Sequence, residues 1–134
     1  METRSETAVS LFIVEDDAHF RETFIDAMWL RGVDVQGAGA GFEGLRALQD
    51  LPPASRPNLI ILDVKLPDLH GFELCKRIKR IEAYKDTPVL FVSASAQYND
   101  PRDRVEGLLA GAVGFLPKPI SVEKLWTEIS HILS

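Results

Sequence analysis

The clearest strand signal in the chain is the segment Leu59-Ile60-Ile61-Leu62-Asp63. Four consecutive apolar residues predict a short strand that is covered on both of its faces, and the aspartate predicts where that strand ends. Strands of this kind belong to parallel sheets, which carry helices on both sides. We therefore expect residues 59–62 to form a central strand of an α/β domain, with Asp63 at its carboxyl end.

On both sides of this segment, strand-like apolar runs alternate with segments of helical periodicity. The other strand-like runs lie at residues 11–14, 33–36, 89–92 and 113–116. The second of these mixes apolar and polar residues, which is typical of a half-exposed edge strand. A helical segment follows each run, and the last one carries Val122, Leu125, Ile129 and Ile132. This alternation predicts a doubly wound α/β fold, with a five-stranded parallel sheet and helices on both faces.

Length and composition predict how the chain is organised. It has 134 residues, of which 46% are hydrophobic and 26% are charged, a profile that predicts one soluble domain with a substantial core. We expect a flexible tail at residues 1–9 and a single domain at residues 10–134. The formal net charge is -5, which argues against direct binding to nucleic acid, because affinity for phosphate backbones depends on clustered Lys and Arg.

The sequence also indicates a location for the protein. No segment approaches the roughly 18 apolar residues of a membrane span, and the polar start of the chain lacks the apolar core of a signal peptide. The single cysteine, Cys75, cannot form an internal disulfide and is expected to be a reduced, packed thiol. We therefore expect a cytoplasmic protein that makes no contact with membranes.

Polar residues stand where four of the predicted strands end. They are Glu15 and Asp16, Asp63, Ser93, and Lys118. Parallel strands end at the same edge of a sheet, so we expect these side chains to lie together. Three neighbouring carboxylates repel one another unless some are protonated or a cation lies among them, and a hard divalent ion with oxygen ligands removes the conflict. The sequence therefore predicts a site for Mg²⁺, or for Mn²⁺, at this edge.

Such a site suits phosphoryl chemistry. Transfer of a phosphoryl group depends on positioning and on neutralising charge, which a metal ion, an ammonium and a hydroxyl can supply, and a carboxylate can be the nucleophile. Each residue alone has a simpler interpretation. Asp16 or Asp17 could cap a helix, Asp63 could form a turn, and Ser93 and Lys118 could be ordinary surface groups. Their joint placement at four strand ends favours the phosphoryl site.

From about Leu11 to Leu133 the sequence resembles the receiver domains of two-component response regulators. Four motifs carry the resemblance: Val14-Glu15-Asp16-Asp17, the acceptor-like loop at residues 62–71, Val92-Ser93-Ala94, and residues 110–119. Within that family, the sequence is similar to the chemotaxis regulators. The resemblance implies a flavodoxin-like sheet with the strand order 2-1-3-4-5.

The resemblance also implies a role for each residue of the predicted site. Asp63 would be the phosphoacceptor of a Mg²⁺-dependent reaction, and Ser93 and Lys118 would hold the phosphoryl oxygens. The metal contacts would come from Glu15, Asp16, Asp63 and the backbone carbonyl of Lys65. The switch residues would be Ser93 and Phe115, and the peptide bond between Lys118 and Pro119 would be cis. The domain would catalyse only its own phosphorylation and dephosphorylation.

Similar domains receive their phosphoryl group from a histidine kinase or a histidine phosphotransfer protein. They pass the signal to a downstream protein target or to an attached output domain, through the face made by the fourth helix, the fifth strand and the fifth helix. Three features depart from the family pattern. Phe115 replaces the commoner tyrosine, His70 stands where an acid is often found and is expected to be a loop residue, and the loop after Ser93 is about three residues longer than usual.

Three other functions are compatible with single features of the sequence. The segment Gly39-Ala40-Gly41-Phe42-Glu43-Gly44 matches the dinucleotide-binding pattern of an NAD-dependent enzyme, but the strand before it contains polar residues and a substrate domain would not fit. An aspartyl phosphatase of the haloacid-dehalogenase type would need an acid where Lys65 stands. A receiver-like module that binds proteins without being phosphorylated is the remaining alternative.

Overall fold

The computed structural model describes residues 9–94 and 101–134. The strands are β1 (Ser10–Val14), β2 (Asp34–Ala38), β3 (Leu59–Leu62), β4 (Val89–Ser93) and β5 (Gly114–Pro117). They form one sheet in the order β2-β1-β3-β4-β5, and every pair is parallel. The helices are α1 (Ala18–Trp29), α2 (Gly41–Asp50), α3 (Gly71–Lys79), α4 (Pro101–Leu109) and α5 (Val122–Leu133). The predicted fold class and strand order are therefore confirmed.

Two predicted features lie mainly outside the described residues. Of the tail predicted at residues 1–9, the structure describes only the last residue, and the domain boundary stays a prediction. Most of the longer loop after Ser93, residues 95–100, is outside the described part of the chain as well.

The sheet is covered on both faces because its central strands are apolar at every position. Leu59, Ile60, Ile61 and Leu62 of β3 are each at most 2% exposed. Leu59 and Ile61 belong to the hydrophobic layer formed with α1 and α5, whereas Ile60 and Leu62 belong to the layer formed with α2 and α3. Burial of such side chains contributes roughly 2 kcal/mol each, so these two layers are the main source of stability.

The edge strand differs from its prediction. We expected residues 33–36, but β2 runs from Asp34 to Ala38, with Val33 buried just before it. Gly37 belongs to the strand because it pairs with Ile13 of β1, and the stem of Arg21 lies over it, since a Cβ at residue 37 would be 3.1 Å from Arg21 Cδ. Glycine is a weak strand former, so its presence here could not be predicted from local propensity.

The remaining expectations concern the cysteine and the helices. Cys75 is free and buried, its thiol donates to the carbonyl oxygen of Ala110 at 3.3 Å, and burial raises its pKa to about 11. A thiol with so high a pKa is a packing group rather than a nucleophile.

Within the described ranges, no helix combines the length and the apolar character that crossing a bilayer requires.

Candidate functional site

The carboxyl ends of four parallel strands form one edge of the sheet, and the predicted site residues meet there. Glu15 and Asp16 follow β1, Asp63 follows β3, Ser93 ends β4, and Lys118 follows β5. All of them line one cleft of about 470 Å³, together with Lys65. Strand order explains the convergence, because β1 lies between β2 and β3 and places its acids beside Asp63.

Three carboxylates form a compact cluster in this cleft. One oxygen from each of Glu15, Asp16 and Asp63 lies within 4.8 Å of the others. Glu15 and Asp63 are only 2% and 8% exposed, whereas Asp16 is open to solvent. Oxygen donors at this spacing, with one side open to water, suit a hard divalent cation that keeps part of its hydration shell. The cluster therefore could hold a metal ion, and its donor set fits Mg²⁺.

Lys118 lies directly against these acids. Its ammonium contacts Glu15 Oε1 and lies 3.6 Å from Asp63 Oδ2. The ring of Phe20 lies beneath the same ammonium, with its centroid 4.5 Å from Nζ. The peptide bond between Lys118 and Pro119 is cis, the form that the resemblance implies. The lysine side chain is therefore held between carboxylates and an aromatic ring, where its charge faces Asp63.

Burial changes the acidity of Glu15. Loss of hydration raises the pKa of this carboxyl to about 7, and the neighbouring Asp63 adds to the rise. The Lys118 ammonium and the backbone N–H of Asp17, which donates to Glu15 Oε2 at 3.0 Å, oppose the rise without cancelling it. Near neutral pH, Glu15 is therefore divided between its protonated and ionised forms.

This raised pKa predicts how metal binding depends on pH. A divalent cation binds the ionised carboxylate, so we expect Mg²⁺ affinity to increase by about tenfold between about pH 6 and about pH 8. The stability of the metal-free protein is expected to change with pH in the opposite direction. Because the pKa of Glu15 is higher in the folded protein than the ordinary value of 4.5, this group stabilises the fold below about pH 4.5, and that contribution is lost as pH rises through about 7. Titration calorimetry and thermal unfolding at several pH values measure the two effects.

The matched control for this prediction is Glu15→Gln, which cannot ionise. Its Mg²⁺ affinity is expected to be weaker than that of the natural protein but nearly independent of pH over the same range. An affinity in the natural protein that does not change with pH, or an equal pH dependence in Glu15→Gln, would contradict the assignment of the raised pKa to Glu15.

The structure shows which residues cap the two helices beside the site. Asp17, not Asp16, caps α1, because its side chain accepts a hydrogen bond from the N–H of Phe20 at 3.1 Å. Asp16 is therefore left for the carboxylate cluster. His70, expected to be an ordinary loop residue, caps α3, with Nδ1 accepting from the N–H of Phe72 at 3.1 Å. Histidine is not among the usual N-cap residues, so this role could not be predicted from the residue type.

The glycine pattern at residues 39–44 has a protein carboxylate at its helix N-terminus. The side chain of Asp68 accepts hydrogen bonds from the backbone N–H groups of Gly41 at 2.7 Å and Phe42 at 3.0 Å. In a dinucleotide site, such N–H groups would face the pyrophosphate. Because Asp68 already bonds to them, the structure does not support the dinucleotide-binding interpretation.

The predicted switch residue Phe115 lies in a row of aromatic rings. Phe115 is 9% exposed, and its ring centroid is 5.9 Å from that of Phe91. Phe91 contacts Phe72 at 5.1 Å, and Phe72 contacts His70 at 4.9 Å. The rings thus extend from the loop after Asp63 to β5.

The other predicted switch residue, Ser93, lies at the end of β4, two residues beyond Phe91, and is 1% exposed.

Comparison with known proteins gives consistent matches over nearly the whole chain. A profile of the family described as "Response regulator receiver domain" matches residues 11–130. The chain is 36% identical over 124 residues to the transcriptional regulatory protein AfsQ1 of Streptomyces coelicolor, which covers 92% of this chain and 51% of AfsQ1. It is 33% identical over 123 residues to the DNA-binding dual master transcriptional regulator RpaA of Synechocystis, which covers 92% of this chain and 48% of RpaA.

Solved structures agree with these matches. The chemotaxis response regulator CheY4 of Vibrio cholerae superposes with a TM-score of 0.85 at 30% identity, covering 95% of this chain and 100% of that chain. The chain thus spans about half the length of the two curated relatives and the full length of the chemotaxis regulator.

Proposed function

Because the chain belongs to the response regulator receiver domains of two-component signalling, whose general function is phosphorylation-based signalling, we propose that it takes a phosphoryl group onto the carboxylate of Asp63. The observation that carries this proposal is the surroundings of that carboxylate. Asp63 is 8% exposed, lies 3.6 Å from the Lys118 ammonium, and belongs to the cluster with Glu15 and Asp16. An acid held in this way is oriented toward the cleft that would receive the phosphoryl group.

The proposed reaction is a displacement at phosphorus. One carboxylate oxygen of Asp63 attacks the phosphorus atom, the bond from phosphorus to the donor breaks, and its electron pair leaves with the donor. The Lys118 ammonium and the Ser93 hydroxyl would contact the phosphoryl oxygens. A bound Mg²⁺, held by Glu15, Asp16, Asp63 and the Lys65 carbonyl, would neutralise charge on the transferring group. The domain would catalyse only its own phosphorylation and dephosphorylation.

The donor and the target are part of the proposal. A phosphohistidine of a histidine kinase or a phosphotransfer protein would supply the phosphoryl group. The face formed by α4, β5 and α5 would carry the signal to a downstream protein or to an attached output domain. Four apolar side chains on or beside α4 support this choice, since each is at least half exposed: Val105, Leu108, Leu109 and Val113. The cytoplasmic location stays a prediction.

The switch would connect Asp63 to that face. Ser93 would move toward the phosphoryl group, and the Phe115 ring, which packs on Phe91, would change its rotamer. Gly107 of α4 lies over these rings, and a Cβ there would be 3.5 Å from the rings of both Phe91 and Phe115. A change at Phe115 would therefore be felt directly by α4.

The proposal is tested by incubating the protein with acetyl phosphate and following its intact mass. We expect one phosphoryl group per chain when Mg²⁺ is present and none when a chelator removes it. A protein that refuses acetyl phosphate is then offered a panel of phosphohistidine donors. Failure with every donor would reject phosphorylation and favour the alternative of a receiver-like module that only binds proteins.

A further inference from the structure

The glycine-rich segment, residues 37–44, adjoins the site without contributing a side chain to its cleft. The segment comprises the end of β2 and the first turn of α2. Its sequence matches a nucleotide-binding pattern, and yet the described residues that line the cleft come from the ends of β1, β3, β4 and β5 and from the loops that follow them. Some of the contacts that this segment makes bear on the two loops that carry the carboxylates.

The first contact is with the loop that follows Asp63. Asp68 lies five residues beyond the acceptor, and its two carboxylate oxygens accept from the N–H groups of Gly41 and Phe42 at 2.7 and 3.0 Å. These hydrogen bonds lower the pKa of Asp68, and the bond from Phe42 has the largest effect. The carboxylate also lies at the N-terminus of α2, where the helix dipole favours negative charge. The middle of the acceptor loop is thereby fixed to α2.

The second contact is with the loop that follows β1. Arg21 Nη1 donates to the carbonyl oxygen of Glu15 at 2.5 Å, so the guanidinium holds the peptide that joins Glu15 to Asp16. The arginine stem crosses the glycines of the segment, since a Cβ would be 3.1 Å from Arg21 Cδ at Gly37 and 3.2 Å from Nη1 at Gly39. Side chains there would displace the arginine.

The glycines permit a close approach at two more points. A Cβ at Gly41 would lie 2.8 Å from Leu69 Cβ, and one at Gly44 would lie 2.7 Å from Val14 Cγ2. The first distance shows that the acceptor loop packs onto α2 without space for a side chain. The second shows that α2 packs equally tightly on β1, the strand that Glu15 follows. The segment therefore fits against both loops at once.

We propose that the glycine-rich segment positions both loops of the carboxylate cluster, with Asp68 and Arg21 as the two positioning residues. The inference rests on the proposed function in treating the cluster as a Mg²⁺ site. The loop positions themselves are properties of the metal-free protein. Asp68 acts on Asp63 and Lys65 through the backbone of the acceptor loop, and Arg21 acts on Glu15 and Asp16 through the peptide that it holds.

The test uses Asp68→Ala, Asp68→Asn and a matched control, Ser121→Ala. Ser121 caps α5, with its hydroxyl accepting from the N–H of Lys124 at 3.0 Å, so its loss removes the cap of a helix that supplies none of the three carboxylates. We expect Asp68→Ala to weaken Mg²⁺ binding by about tenfold in titration calorimetry, as loss of a group that orients metal ligands does. Asp68→Asn keeps one acceptor and is expected to restore part of the affinity. Ser121→Ala is expected to leave it unchanged.

A second readout needs no metal. In the metal-free protein, Lys65 N–H donates to Asp63 Oδ1 at 3.3 Å and Gly71 N–H donates to the Val64 carbonyl at 2.7 Å. Both amides are expected to exchange with solvent several-fold faster in Asp68→Ala and at the natural rate in Ser121→Ala. Equal exchange and equal Mg²⁺ affinity in Asp68→Ala and the natural protein would overturn the inference. So would equal changes in Asp68→Ala and Ser121→Ala.

Arg21→Met tests the other contact, because methionine keeps an unbranched stem over the glycines and removes the guanidinium. We expect weaker Mg²⁺ binding here as well, and an unchanged affinity would remove Arg21 from the proposal. If the natural protein binds no Mg²⁺, the proposed metal site fails. The exchange rates of Lys65 and Gly71 still decide whether Asp68 positions the loop.

Discussion

Replacing Asp63 by asparagine is expected to abolish phosphorylation of the chain while leaving its fold intact. The amide is nearly isosteric with the carboxylate, but its oxygen is a far weaker nucleophile and carries no charge. The same change removes one of the three carboxylate charges of the cluster and the negative partner of Lys118. Intact mass after incubation with acetyl phosphate and Mg²⁺ measures the loss, and circular dichroism checks the fold.

The matched control is Asp50→Asn, which makes the same chemical change at the end of α2. Asp50 is exposed, and its only polar contact given by the structure within the described residues is with Arg46 at 3.3 Å. We expect this variant to gain the phosphoryl mass as the natural protein does. An undiminished phosphoryl signal in Asp63→Asn would reject Asp63 as the acceptor.

Replacing Gly71 by alanine is expected to cause the largest loss of stability of any single change considered. A Cβ at residue 71 would lie 2.3 Å from the carbonyl oxygen of Asp63 and 2.7 Å from Val64 Cα. Both atoms are backbone, so no side-chain rotation relieves the contact and the loop or α3 must move. We expect the free energy of unfolding to fall by roughly 3 kcal/mol. Phosphorylation should fall with it, because the displaced backbone carries Asp63.

Gly39→Ala is the comparison that isolates this effect. Among the described residues, the three atoms nearest to its Cβ would all belong to the guanidinium of Arg21, with Nη1 at 3.2 Å, and that group lies at the end of a flexible side chain. The expected change in the free energy of unfolding is below about 1 kcal/mol, since alanine also restricts the unfolded chain. Denaturant unfolding of the two variants side by side measures the difference. A loss in Gly71→Ala no larger than that in Gly39→Ala would contradict the contact argument.

Much of the site could be predicted because the sheet is parallel. The apolar run ending at Asp63 indicated a buried central strand, and the polar residues after the other strands had to meet at the same edge. This reasoning needed no knowledge of side-chain positions. It located Glu15, Asp16, Ser93 and Lys118 beside Asp63, and the structure brings all of them to one cleft.

The sequence could not show the supports of the site, because they depend on contacts between distant residues. Asp68 lies 27 residues from the Gly41 amide to which it bonds, and no local pattern connects the two. The same glycines suit a nucleotide phosphate or a protein carboxylate, since both bond to the N–H groups at a helix N-terminus. Only the three-dimensional arrangement identifies Asp68 as the group that lies there.

The most direct test of the central claim is to identify the residue that carries the phosphoryl group. Protein phosphorylated with acetyl phosphate and Mg²⁺ is treated with borohydride, which reduces an acyl phosphate to an alcohol and so converts a phosphorylated aspartate into homoserine. Tandem mass spectrometry of the digested protein then locates the change. We expect homoserine at position 63 and at no other acidic position. A reduced side chain at Glu15 or Asp16, with Asp63 unmodified, would contradict the account.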